Sequence, residues 1–120
     1  DASRKKVSFL NHIIRKLNLT DASSIHFKAG KSTENTNFGA FFDVIVSRAL
    51  TDLGSFAEMA LPLLRKAGFL LAYKGPYNKN TCEEVKNLHS RDLSLKSSVL
   101  TYQLPYLNLE RTIIKVTPSL

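Results

Sequence analysis

The run Phe41-Phe42-Asp43-Val44-Ile45-Val46 breaks off into Ser47-Arg48-Ala49-Leu50, and chemistry is easiest to read at that junction. Short β-branched apolar runs read as strands buried on both faces, the mark of a parallel sheet. Open parallel sheets bind ligands outside the carboxyl ends of their strands. Arg48 therefore stands where a cofactor or substrate is expected. The competing reading is an ion pair with Asp43 or Asp52. A second run, Phe69-Leu70-Leu71-Ala72-Tyr73, also reads as doubly buried and also ends in a cation and a turn, Lys74-Gly75-Pro76.

Other chemistries fit poorly. Cys82 is the only cysteine, which excludes an internal disulfide framework and a Cys-based zinc site. His12, His26 and His89 show no metal-ligand spacing and read as surface or strand residues. No metal is expected. No apolar run is long enough to cross a membrane and no secretory segment opens the chain, so the expectation is a reduced, cytoplasmic protein.

Charge suggests a partner. The 120 residues carry a net charge of +7, which suits a polyanion such as RNA, DNA or a phosphorylated ligand, or solubility alone. The distribution favours a partner. Arg4, Lys5 and Lys6 are consecutive, and Arg15, Lys16, Lys28 and Lys31 follow in the first third.

These residues need elements to hold them. Ser3 is a candidate N-cap for a helix whose apolar face carries Val7, Leu10, Ile14 and Leu17, with Ile13 beside it and Leu19-Thr20-Asp21 at its end. Three cations in its first turn oppose the helix dipole, a cost that a bound anion would offset. The same side chains could instead reach into solvent. Ser24 to Lys28 reads as a short strand, Ala29 to Ala40 as a polar loop, and Asp43 to Val46 as a strand. Phe56, Met59, Ala60, Leu63 and Leu64 fall at helical spacing, stopped by Lys66-Ala67-Gly68, and Pro62 inside that pattern is expected to kink the helix or begin a second turn. Asn78 to Leu88 reads as a polar surface helix. Val99–Leu104 and Thr112–Val116 form an antiparallel hairpin through Pro105-Tyr106-Leu107-Asn108. The alternation predicts an α/β domain with a mostly parallel sheet and an antiparallel strand added at one edge.

The chain also resembles a known family. Asp1-Ala-Ser-Arg-Lys-Lys-Val-Ser-Phe-Leu is similar to the segment after the second strand in the glucose-inhibited division protein B family. The similarity continues through Phe42–Leu50, Ala60–Leu64, Leu71–Pro76, Leu104-Pro105 and Glu110-Arg111. The Ser-Arg-Ala and Lys-Gly-Pro segments are the more specific ones. The family consists of S-adenosylmethionine-dependent methyltransferases acting on a guanine N7 of small-subunit ribosomal RNA.

The resemblance implies a Rossmann-like class I methyltransferase sheet whose last strand is antiparallel. It implies that residues 1–120 are the C-terminal part of one such domain, with the first two strands missing. Asp1 would hydrogen-bond the cofactor ribose, with Ala2 and Ser3 beside it. Ala29 and Gly30 would border the adenine, and Arg48 would be the arginine of the cofactor-site motif. Gly30 stands where the family usually carries an acid, which leaves only backbone groups for that contact. Lys74, at a strand end on the same rim, and Arg4, Lys5 and Lys6 are the candidate RNA contacts.

The family's Gly-rich loop would precede Asp1, and none of the five glycines here has G-x-G spacing. The missing strands would also lie between the strand at Ile25 and the strand at Val44. These 120 residues alone are therefore expected to bind cofactor weakly and to be inactive. Guanine N7 offers a lone pair free of any proton, so alignment of the reacting atoms, not a general base, would carry catalysis. Two other functions fit the same residues: a non-catalytic RNA-binding α/β module, and a methyltransferase acting on a small molecule.

Overall fold

Ser3 caps the first helix as its type suggests. Its hydroxyl accepts the Lys6 amide at 3.3 Å, and α1 runs Arg4–Lys16. The end is closed by a Schellman motif. Asn18 takes left-handed backbone (φ 53°), its N–H donates to the Arg15 carbonyl at 3.2 Å, and the Leu19 N–H donates to that of Ile14 at 3.0 Å. Arg15 and Lys16 in the last turn suit the helix dipole, whereas no acid offsets Arg4, Lys5 and Lys6 in the first. The apolar stripe is buried only at Val7; Ile13 and Ile14 are half-buried, and Leu10 and Leu17 are exposed.

The computed structural model describes residues 1–28, 40–48 and 52–119. They divide into two compact units, Asp1–Glu34 and Asn35–Leu120. In the first unit the strand expected over Ser24–Lys28 does not form. Its pairing is one residue deep: the Asp1 backbone nitrogen donates to the Ile25 carbonyl and the Phe27 N–H to the Asp1 carbonyl, both at 2.8 Å. One bridging residue makes no ladder. The loop expected over Ala29–Ala40 lies outside the described residues except for Ala40, as do Ala49 and Leu50.

In the second unit the chain runs β1 (Phe42–Arg48), α2 (Leu53–Ala60), a 3₁₀ turn (Leu61–Leu63), β2 (Leu64–Lys74), α3 (Lys79–Arg91), β3 (Leu95–Gln103) and β4 (Glu110–Pro118). Among the described residues these strands form one sheet in the order β1-β2-β4-β3. β1 and β2 are parallel, and β4 is antiparallel to both β2 and β3. The expected antiparallel hairpin is present, but β4 does not extend an edge. It inserts between β2 and β3. Composition explains the choice: Ile113, Ile114 and Val116 suit an interior strand, while β3 carries Lys96, Ser97, Ser98 and Thr101, which an edge tolerates.

Three other expectations are corrected. Among the described residues β1 lies at the edge of the sheet and only one of its faces is covered; Val44 and Val46 are 42% and 60% exposed while Ile45 packs on the core. β2 hides Leu70 and Ala72 completely but leaves Phe69 and Leu71 half-buried on the other face. Leu63 and Leu64 do not continue α2, because the chain tightens into the 3₁₀ turn that holds Pro62 and Leu64 already pairs with Phe42. The register then shifts, so that Val44 faces Phe69. Gly68 makes that bulge possible: a Cβ there would lie 2.6 Å from the Asp43 carbonyl oxygen. The buried face of the sheet (Leu70, Ala72, Ile114, Val116) is covered by Leu53, Phe56, Ala57 and Ala60 of α2 and Leu88 of α3.

Candidate functional site

Strand register gathers cations and phenols at one end of the sheet. Arg48, the last residue of β1, lies opposite Tyr73 of β2. Tyr102 near the end of β3 lies opposite Arg111 near the start of β4. Tyr73 faces Ile113, and Ile113 and Arg111 are two apart on β4, so the alternation of strand side chains places all four on one face. It is the face opposite Leu70, Ala72 and Ile114. A cavity of about 850 Å³ opens there, lined by Arg48, Tyr73, Lys74, Gly75, Pro76, Tyr102, Leu104 and Arg111. It sits at the carboxyl ends of β1 and β2, where a parallel pair is expected to receive a ligand.

Neighbouring contacts hold this rim. Lys74 Nζ lies 3.1 Å from Glu84 Oε2, with both side chains largely shielded. The same carboxylate oxygen accepts the Leu53 amide at 3.3 Å, at the first turn of α2. Asp52 caps that helix, its Oδ1 accepting the Ser55 amide at 3.0 Å and its Oδ2 the Ser55 hydroxyl at 2.7 Å. Asp43 is held at 3.0 Å by Arg65. Arg48 lies exposed on the cavity wall. After β2, Glu110 Oε1 accepts the Tyr77 amide at 3.0 Å and ties that loop to the start of β4. Hydrogen bonding to Cys82, then partial desolvation, raises the Tyr77 phenol above its ordinary pKa.

The structure thus brings Arg48 and Lys74 to one cavity. Arg4, Lys5 and Lys6 form the exposed first turn of α1 in the other unit. Asp1, Ala2 and Ser3 precede that helix. Asp1 Oδ1 accepts the Ser3 amide at 2.7 Å, and His26 Nε2 donates to the Ala2 carbonyl at 3.0 Å. Ala29 and Gly30 lie outside the described residues. Tyr102 and Arg111 carry no local signal as site residues, although a strict hairpin register across Pro105–Asn108 pairs them.

Guanidinium groups take phosphates in bidentate fashion, and phenol rings stack on bases. The cavity is therefore chemically suited to a nucleotide. Among the described residues no cluster of His, Cys, Asp and Glu could hold a metal ion, and no helix is long and apolar enough to cross a membrane.

The sheet also has relatives of known structure. A Corynebacterium glutamicum protein matches the whole chain over 59% of its own length, with a TM-score of 0.64 and 14% identity. Precorrin-6y C5,15-methyltransferase from Geobacter metallireducens matches 99% of the chain over 65% of its length, with a TM-score of 0.59 and 10% identity. The fold is that of the class I methyltransferases. In sequence, a family model described as "GidB: rRNA small subunit methyltransferase G" matches residues 1–111, and the chain belongs to that family. Ribosomal RNA small subunit methyltransferase G of Lachnoclostridium phytofermentans is 34% identical over 115 residues, which is 95% of this chain and 47% of that protein. The chain spans about half the length of the curated relatives it matches.

Proposed function

We propose that this chain supplies the substrate-facing half of an S-adenosylmethionine-dependent methyltransferase that modifies a guanine N7 of small-subunit ribosomal RNA. The observation that carries this reading is the cavity lined by Arg48, Lys74, Arg111, Tyr73 and Tyr102 at the strand ends of a methyltransferase sheet. Family membership supports the reaction and the RNA substrate. The substrate in turn suits a cytoplasmic setting, where ribosomes are assembled.

The residues fit part of the cofactor. Asp1 is an exposed carboxylate whose Oδ1 is fixed by the Ser3 amide. That anchoring suits it to accept from a ribose diol, with Ala2 and Ser3 alongside; the roles of Ala29, Gly30 and Arg48 toward the cofactor rest on the family resemblance alone. These 120 residues hold no G-x-G loop for the methionine end. When bound, the cofactor supplies the methyl group. The chain's own part is to orient: Arg48 and Arg111 take up phosphate charge, the phenols hold a base, and Lys74, fixed by Glu84, keeps positive potential at the rim. Arg4, Lys5 and Lys6 add a second cationic surface for the RNA backbone.

RNA binding tests this reading. A small-subunit rRNA fragment should bind with an affinity that falls steeply with salt, and Arg48→Ala should weaken it. RNA binding unaffected by Arg48→Ala would favour a non-catalytic RNA module. No RNA binding would favour a small-molecule methyltransferase. In calorimetry the 120-residue chain should show no micromolar affinity for S-adenosylmethionine, and such an affinity would refute the partial site.

A further inference from the structure

The β3–β4 hairpin ends in a turn whose backbone suits its residues badly. Pro105 fixes its own φ, and Tyr106 follows with φ at 69°, Asn108 with φ at 51°. Proline followed by a left-handed residue is the pattern of a type II turn, whose third position takes glycine or asparagine. Asn108 tolerates left-handed backbone. For a bulky aromatic it is an outlier.

Packing does not explain the strain. Tyr106 is fully exposed, and Leu107 beside it is 64% exposed. Nor is the turn loose. The Leu104 N–H donates to the Leu109 carbonyl at 2.9 Å, and Glu110 anchors the base of the hairpin to Tyr77. A held turn thus presents an aromatic ring to solvent at a conformational cost. Strain of this kind concentrates where a ligand is gripped.

The position of the turn indicates which ligand. Leu104, which enters the turn, and Arg111, near the start of β4, both line the cavity, as does Arg48. The chain carries a net charge of +7, so the partner that reaches the tip past a cationic rim is a polyanion. We propose that Tyr106 is a stacking platform for an unpaired RNA base next to the nucleotide held in the cavity. This rests on the RNA-binding reading above and adds a positioning residue to it. Stacking on a phenol needs no sequence-specific hydrogen bond, so the contact would fix register and not base identity.

The test is rRNA-fragment binding by the protein with Tyr106→Gly, Tyr106→Ala and Tyr106→Phe, read with thermal unfolding. Tyr106→Gly and Tyr106→Ala should weaken binding by about 5- to 150-fold, the range of a lost base stack. The salt slope should stay unchanged, because no phosphate contact is removed. Tyr106→Phe should restore the affinity. Tyr106→Gly should also unfold at a higher temperature, because glycine accepts the left-handed backbone. A variant that is more stable yet binds RNA less well separates gripping from folding. Unchanged RNA affinity in Tyr106→Gly and Tyr106→Ala overturns the assignment, and it is also what a tip that docks a protein would give. If the unsubstituted protein binds no RNA, the functional reading itself fails, and the stacking role with it.

Discussion

Glu84 holds Lys74 at 3.1 Å and the Leu53 amide at 3.3 Å through the same oxygen. One carboxylate on α3 thus joins the end of β2 to the start of α2. The cation at the rim is kept in place by a residue ten positions further on, outside the cavity. Glu84→Gln preserves the shape and removes the charge. It should cost about 1–3 kcal/mol, because Lys74 is largely shielded from the water that would otherwise solvate it. Urea unfolding at neutral pH measures the loss.

Gly68 allows β1 and β2 to pair across their bulge. Gly68→Ala would place a Cβ 2.6 Å from the Asp43 carbonyl oxygen and 2.9 Å from that of Arg65, both backbone atoms that cannot swing away. The expected cost is about 1–3 kcal/mol. The loss should concentrate in the β1–β2 pairing, so amide exchange should rise at Val44 to Arg48 before it rises at Ile114 or Val116.

The sequence made some of this legible, and the reasons differ by element. The start of α1 is readable because Ser3 caps locally, whereas its end falls before Leu19-Thr20-Asp21, at the left-handed Asn18. The antiparallel hairpin was readable because Pro105–Asn108 is turn chemistry between two alternating runs. The sheet order was not, since only the polarity of β3 beside the apolar β4 decides which becomes the edge. Val44-Ile45-Val46 looked doubly buried because periodicity reports apolar residues and not their neighbours. Leu63 and Leu64 kept helical spacing by coincidence, and the pairing of Leu64 with Phe42 overrode it. Of the site, Arg48 and Lys74 could be read from strand ends. The pairings of Tyr73 with Arg48 and of Tyr102 with Arg111 depend on register, and the Glu84 anchor on tertiary contact, which no local signal carries.

Thr112 illustrates a cost left in the core. It is fully buried on the covered face of β4, and its hydroxyl has no hydrogen-bond partner. Thr112→Val keeps the shape and removes the unsatisfied group. It should raise stability by about 1 kcal/mol, at the low end of the usual penalty for such a group. An unchanged or lowered unfolding midpoint would contradict this.

Asp92 gives a pH signature. Hydrogen bonds from the Ser94 hydroxyl at 2.6 Å and the Ser94 amide at 2.9 Å hold its carboxyl below the ordinary value. A carboxyl with a lowered folded-state pKa binds protons less readily folded than unfolded. Its stabilisation is therefore present above the unfolded-state value, about 3.9, and disappears as the pH falls through the lowered folded value. The difference in stability between the native protein and Asp92→Asn should be constant near neutrality and shrink below about pH 4. Ser94→Ala should move the Asp92 titration upward in NMR.

Methyl transfer tests the central claim most directly. The protein bearing this chain should be incubated with tritiated S-adenosylmethionine and small-subunit ribosomal RNA, native and with Arg48→Ala. Label is expected in the RNA at a guanine N7, with a loss of at least about tenfold in Arg48→Ala, the equivalent of about 1.4 kcal/mol in the barrier. Label that enters RNA equally well with Arg48→Ala, or that enters only small molecules, would contradict it.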